Sequence, residues 1–140
     1  MADEFDEDLR PPSPRLTYFS SNDRKSPREQ LFGADAERTA KDLVTTVPAS
    51  QLRRFYAFVT ELRDQIETRG LADEMIRVQM AMLKARAAYT RKRNPRYSRE
   101  LVRFFTLHAD AVRDRTDFLL GFQPHFEAVI AYHKVFGAKE

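Results

Sequence analysis

The chain has 140 residues, 42% of them apolar, with 24 basic and 21 acidic side chains and no cysteine. That length supports one hydrophobic core and not two, and the missing thiols exclude disulfides and thiolate metal sites. No apolar run reaches a membrane span and the acidic start MADEFDEDLR excludes a secretory signal, so a cytoplasmic protein is expected.

The net charge of +3 hides an asymmetry. Residues 1–47 carry seven basic and ten acidic groups, a net of −3, and residues 48–140 carry seventeen basic and eleven acidic groups, a net of +6. Clustered charge, Pro and Ser dominate MADEFDEDLRPPSPR and SSNDRKSPREQ. So few apolar residues do not offset the entropy of ordering, and residues 1–33 are expected to be a disordered leader ahead of a domain spanning 34–140. The one apolar island, Leu16-Thr17-Tyr18-Phe19, has the makings of an anchor, but tails often contain such islands by chance. Deleting residues 1–30 is therefore expected to change stability little.

From about Asp35 the pattern turns helical. ADAERTAKDLV holds good helix formers and ends at Thr45-Thr46. Pro48 then stands where a first helical turn tolerates proline. Behind it Leu52, Phe55, Tyr56, Val59, Leu62 and Ile66 recur three and four apart, one stripe of a long amphipathic helix that Gly70 stops. A third helix is predicted from about Ala72 to Arg93. Met75, Val78, Met82, Ala85 and Tyr89 form its apolar stripe, and Ile76, Met80, Leu83 and Ala87 widen it. A face that wide implies more than one neighbour. Asn94-Pro95 breaks the run. A fourth helix, about Ser98 to Arg115, presents Leu101, Phe104, Phe105, His108, Ala111 and Val112. The fifth begins near Thr116-Asp117, bends at Pro124 and continues through Phe126, Val129, Ile130, His133 and Phe136. With no strand-like alternation, the expected class is all-α, a compact bundle of about five helices.

The chemistry is concentrated in residues 83–104, LKARAAYTRKRNPRYSRELVRF. Eight side chains there are basic (Lys84, Arg86, Arg91, Lys92, Arg93, Arg96, Arg99 and Arg103) and only Glu100 is acidic. A solvated face normally mixes both signs a turn apart. The missing partners point instead to a polyanion, and the preference for arginine suits bidentate phosphate contacts. Arg53 and Arg54 open another helix beside Gln51. Tyr89 and Tyr97 lie within the patch, where they can stack on bases or form a core rim. His108 and His133 fall on apolar stripes, so packing explains them better than acid–base catalysis. No metal-ligand spacing or nucleophile–base pair stands out, and neither a cofactor nor an enzymatic activity is expected.

Three segments carry a resemblance. VPASQLRRFY (47–56) resembles a turn followed by a Gln-hydrophobic-Arg-Lys/Arg-Phe-Tyr helix opening in the small subunit of type III-A CRISPR effector complexes, the Csm family. LKARAAYTRKR (83–93) is similar to that family's Leu-Lys-Pro-x-x-x-Tyr-x-x-x-Arg segment, with Ala85 where proline is common. FLLGFQPHFEAVIAYHKVFGAK (118–139) is similar to its C-terminal Phe…Phe-Glu-Ala element, with Pro124 as a departure; the leader is longer than the family pattern. The resemblance implies a non-enzymatic subunit of an antiviral defence complex. Several copies would self-associate along a filament of backbone subunits, next to the large subunit, and line the channel for guide RNA and target RNA. Gln51, Arg53, Arg54, Lys84, Arg86, Arg91, Lys92, Arg93 and Arg96 are the expected RNA-binding residues. Two rivals remain: a stand-alone helical nucleic-acid-binding regulator, and a small ribonuclease using His108 and His133.

Overall fold

The computed structural model describes residues 7–94 and 99–137. Among these are five α-helices and no strand: α1 (Ala34–Val44), α2 (Ala49–Arg69), α3 (Asp73–Arg93), α4 (Arg99–Ala111) and α5 (Gln123–Val135). A 3₁₀ turn (Glu29–Phe32) precedes α1, and a π-helical turn (Asp117–Phe122) leads into α5. The all-α bundle predicted from periodicity is the fold.

The helix limits follow local chemistry. Asp35 and Glu37 lie in the first turn of α1, where carboxylates complement the helix dipole. Pro48 is the extended residue at the start of α2, and Gly70 ends it in the left-handed region with φ of 62°. Leu52, Phe55, Val59, Leu62 and Ile66 of α2 are all buried, as their spacing requires. α1 packs most extensively on α5, and α3 on α4; α2 lies mainly on α5 and touches α3 only lightly, although a short turn joins them. Phe104 and Phe105 of α4 meet Phe122 and Phe126 at the centre, with Phe55 of α2 stacked on Phe105 at 4.8 Å between centroids.

On α3 the sequence reading needs a correction. Ile76, Met80, Leu83 and Ala87 are fully buried and form its whole packing stripe, while Met75, Val78, Met82 and Tyr89 are between 43% and 64% exposed. The helix packs through one narrow face on α4, so the second stripe faces outward instead of meeting a second helix.

The segment ahead of α1 departs further from expectation. Residues 1–6 lie outside the described ones. Residues 7–33 have little regular secondary structure, in keeping with their composition, yet several of them pack on the bundle. Tyr18 is 1% exposed and Leu31 joins the same core as α1. The island named above is the anchor. Its loop closes on itself: Phe19 and Pro27 form an antiparallel bridge, and Arg28 donates from its backbone to the Tyr18 carbonyl (2.8 Å) and from Nε to that of Thr17 (2.9 Å). Arg24, at φ of 56°, turns both guanidinium nitrogens onto Asp114 (2.8 and 2.6 Å) and one onto Asp117 (2.7 Å). Composition averages these contacts away. A fully buried aromatic ring, with Leu31 in the same core, Leu16, Phe19 and Phe32 packed against it and the flanking charges paired to the bundle, works against the ordering cost in a way the segment's mean hydropathy does not reveal.

Tyr18 is admitted by Gly121, within the π turn. A Cβ at position 121 would lie 2.4 Å from Tyr18 Cγ. The π turn itself answers Pro124, which has no N–H for an α-helical bond; the Gln123 N–H reaches back five residues to Phe118 instead of four.

Tyr18→Ala should therefore cost about 3–5 kcal/mol, the range for truncating a buried aromatic. Deleting residues 1–30 should be at least as damaging. In the native background Gly121→Ala should also destabilise, because the ring must move. In the Tyr18→Ala background the same change should become neutral or stabilising, since alanine favours a helix over glycine by about 1 kcal/mol. Thermal melts of the four proteins decide it; additive losses would show that the two positions do not touch.

Candidate nucleic-acid interface

Leu83 and Ala87 set the rotation of α3, because both are fully buried. Residues seven apart then share a line along the helix, and residues two apart lie about 200° from each other. The basic run is consequently two faces. Lys84 and Arg91 flank the buried stripe on one side, Arg86 and Arg93 on the other, and Lys92 points to solvent between them. No single basic wall exists on this helix.

The first face is closed by the leader. Asp8, whose side chain has no exposed surface, accepts hydrogen bonds from Arg91 Nη1, from Arg99 Nε (3.1 Å) and Nη2 (2.9 Å), and from Arg103 Nε (2.9 Å). Lys84 Nζ donates to the Leu9 carbonyl (2.7 Å), and Glu7 lies 3.9 Å from Arg99. Burial pushes the Asp8 carboxyl up, but hydrogen bonds from Arg99, Arg103 and Arg91 outweigh it and hold the group below its ordinary value. Sequence reading missed this residue. The charge asymmetry between leader and body was the visible signal, but it does not say which carboxylate meets which arginine.

The second face is open. The N-terminal half of α2 and the C-terminal half of α3 diverge into a groove lined by Gln51, Arg54, Phe55 and Phe58 from one helix and Arg86, Tyr89, Thr90, Arg93 and Asn94 from the other side. The Arg86 guanidinium lies over the Phe58 ring at 4.6 Å and that of Arg93 over Tyr89 at 5.8 Å. Tyr89 is 64% exposed, so its ring presents a face to solvent. Among the described residues, Arg54, Arg86, Lys92 and Arg93 make no ion pair. Of the nine residues expected from sequence, Gln51, Arg54, Arg86 and Arg93 meet here. Lys84 and Arg91 are on the other face, Arg53 is exposed but outside the groove lining, and Arg96, like Tyr97, lies outside the described residues. Thr90, Asn94 and Phe58 are additions that only the fold reveals. Chemically, the groove offers guanidiniums for phosphates, a planar ring for stacking and amide groups for hydrogen bonds.

The histidines are inside. His108 shares a hydrogen bond between Nδ1 and the Tyr18 hydroxyl (2.7 Å), His125 Nδ1 donates to the Leu31 carbonyl (2.5 Å) and His133 Nε2 to that of Val47 (2.9 Å). All three are at most 3% exposed, beyond the reach of a substrate. Burial is the main cause that holds each below the ordinary imidazole value; for His108 the nearby His125 adds to it. The sign follows. Above the ordinary value of about 6.5 both folded and unfolded chains carry neutral imidazoles, and the full stability is present. Below it the unfolded chain takes up protons that the folded chain resists, so stability falls by up to about 1.4 kcal/mol per pH unit for each histidine. The melting temperature should drop between pH 7 and pH 5, above the range where Asp8 and Asp114 titrate, and the drop should be smaller in His108→Gln. A flat melting temperature across that interval would contradict buried neutral histidines.

No helix among the described residues is long and apolar enough to cross a membrane. No curated protein and no solved structure matches the chain significantly. A family model described as Csm2 Type III-A matches residues 26–139, a span that covers all five helices, the open groove between α2 and α3, and every one of the arginines around Asp8. With that match over most of its length, the chain belongs to the Csm2 Type III-A family, the small subunits of type III-A CRISPR effector complexes.

Proposed function

We propose that this subunit is a non-catalytic, cytoplasmic RNA-binding component of the complex, which lines the channel for guide RNA and target RNA and contacts the strands through phosphates without reading sequence. Copies associate with one another along the filament, beside the backbone subunits and the large subunit. The observation that carries the reading is the α2–α3 groove: Arg54, Arg86 and Arg93 surround the exposed ring of Tyr89 without ion pairs among the described residues. Unpaired guanidiniums repel one another and destabilise the compact state, and a phosphate backbone relieves that repulsion. The aromatic ring supplies a stacking platform that tolerates any base. Burial of His108 and His133 weighs against the ribonuclease alternative. A stand-alone regulator is disfavoured by membership of a family of complex subunits.

Arg54→Glu with Arg93→Glu tests this. Each phosphate contact on a single strand contributes about 0.7 to the logarithmic salt slope, so losing two should flatten it by about 1.4. Affinity should fall to a similar extent for unrelated RNA sequences, measured both with the isolated chain and in the assembled complex, where repeated copies add avidity. Tyr89→Ala should weaken binding with little change in slope. If both the arginine pair and Tyr89 are replaced with no loss of affinity in the complex, the groove is not the interface.

A further inference from the structure

Three guanidiniums converging on one buried carboxylate make a built anion site, and its present occupant comes from a segment with few other attachments. Residues 7–9 are held by Asp8 in the Arg91, Arg99 and Arg103 cluster, by the Leu9 carbonyl on Lys84 and by Glu7 near Arg99. Residues 10–15 that follow are all exposed and include Pro11, Pro12 and Pro14. Tyr18, by contrast, is locked in the core. The acidic end can thus leave the arginines while its anchor stays in place. It also lies ahead of the span that matches the family, residues 26–139, whereas all three arginines fall inside it.

We propose that Arg91, Arg99 and Arg103 form a second RNA phosphate site, which Asp8 occupies in the free subunit and yields to a phosphodiester when RNA binds. This rests on the RNA-binding reading and gives it a form of regulation. A phosphodiester matches an aspartate in the property the cluster recognises: a single negative charge shared by two equivalent oxygens that accept from planar guanidiniums. One phosphodiester therefore replaces the charge that Asp8 brings to the cluster. Removing Asp8 without a replacement takes from the three guanidiniums the one buried carboxylate they share, which is unfavourable. The leader is tethered, so its local concentration at the cluster is in the mM range for a short flexible connection. An isolated phosphate at similar concentration competes poorly. A strand that holds the α2–α3 groove and passes round the solvent side of α3 over Lys92 presents later phosphates to the cluster at comparable local concentration and displaces Asp8. Lys84 stands beside the cluster to take a neighbouring phosphate once the Leu9 carbonyl departs. In this way the leader sets a threshold: polyanions of sufficient length bind both faces, while small anions bind neither.

The test uses the full chain and a short labelled oligouridylate. Asp8→Asn keeps the shape of the side chain and removes its charge; a second variant lacking residues 2–9 keeps the Tyr18 anchor and guards against misfolding of the first. Both should bind the oligonucleotide about tenfold more tightly than the native chain at low salt, roughly the worth of one charged phosphate contact. Their salt slopes should be steeper by about 0.7 for each phosphate gained. The chain has no cysteine, so Arg10→Cys carries a single nitroxide label next to the leader's acidic end. Adding RNA should sharpen its spectrum as the segment is released, and inorganic phosphate at matched phosphate concentration should not. Native and variant chains that bind RNA with equal affinity and equal salt slope would overturn the exchange while leaving the groove reading intact. The same holds for a label that stays immobile with RNA bound. Failure of all three proteins to bind RNA would overturn both.

Discussion

Tyr18 reaches its place only because position 121 has no side chain, and much of the architecture is arranged around that contact. The ring lies on the π turn, its hydroxyl meets His108, and the loop that carries it is pinned by Arg24 to Asp114 and Asp117. His108 in turn stacks among Phe104, Phe122 and His125, so one buried polar contact joins the N-terminal loop, α4 and the start of α5. A polar network of this kind stabilises only when every member is satisfied. Here the imidazoles find carbonyl or hydroxyl partners, and the aromatic rings exclude water around them.

A second level of order concerns charge. The depth at which Leu83 and Ala87 are buried decides the fate of every basic residue on α3, because the helical screw carries neighbours two positions apart to opposite sides. One side meets an acidic segment of the same chain and the other remains open beside Tyr89. The two environments differ in hydration and mobility although the residue types are the same. Arg91 is nearly enclosed, with 13% of its side chain exposed, while Arg86 and Arg93 are solvated apart from the rings beneath them.

What the sequence shows of this fold is whatever a single helix decides alone. The buried residues Leu52, Phe55, Val59, Leu62 and Ile66 follow from a 3.6-residue period, and the ends at Pro48 and Gly70 follow from backbone chemistry. Gln51, Arg54, Arg86 and Arg93, four of the residues expected to bind RNA, line one groove because their places on α2 and α3 follow from the helical period. What is hidden depends on contacts far apart in the chain. The period of α3 is compatible with either of two apolar stripes, and only the neighbour it packs on chooses Ile76, Met80, Leu83 and Ala87 over Met75, Val78 and Met82. Asp8 is separated from Arg91 by 83 positions, and no local signal distinguishes it from the other carboxylates in the leader. Tyr18 illustrates the same limit: the island was visible, but its receptor is an absent side chain at Gly121.

The π turn has a consequence for how the chain tolerates changes of length. A π turn holds one residue more than an α turn, so it amounts to a single-residue insertion absorbed within a helix. Removing one residue between Phe118 and Phe122 would restore α-helical winding and leave the flanking turns close to their present phase. Asp117 would stay on the side of Arg24, and Phe126, Val129 and His133 would keep their register, but the gap beneath Tyr18 would be filled by a neighbouring side chain. A one-residue deletion here is thus a change of local winding, and the N-terminal loop is the part that would come loose.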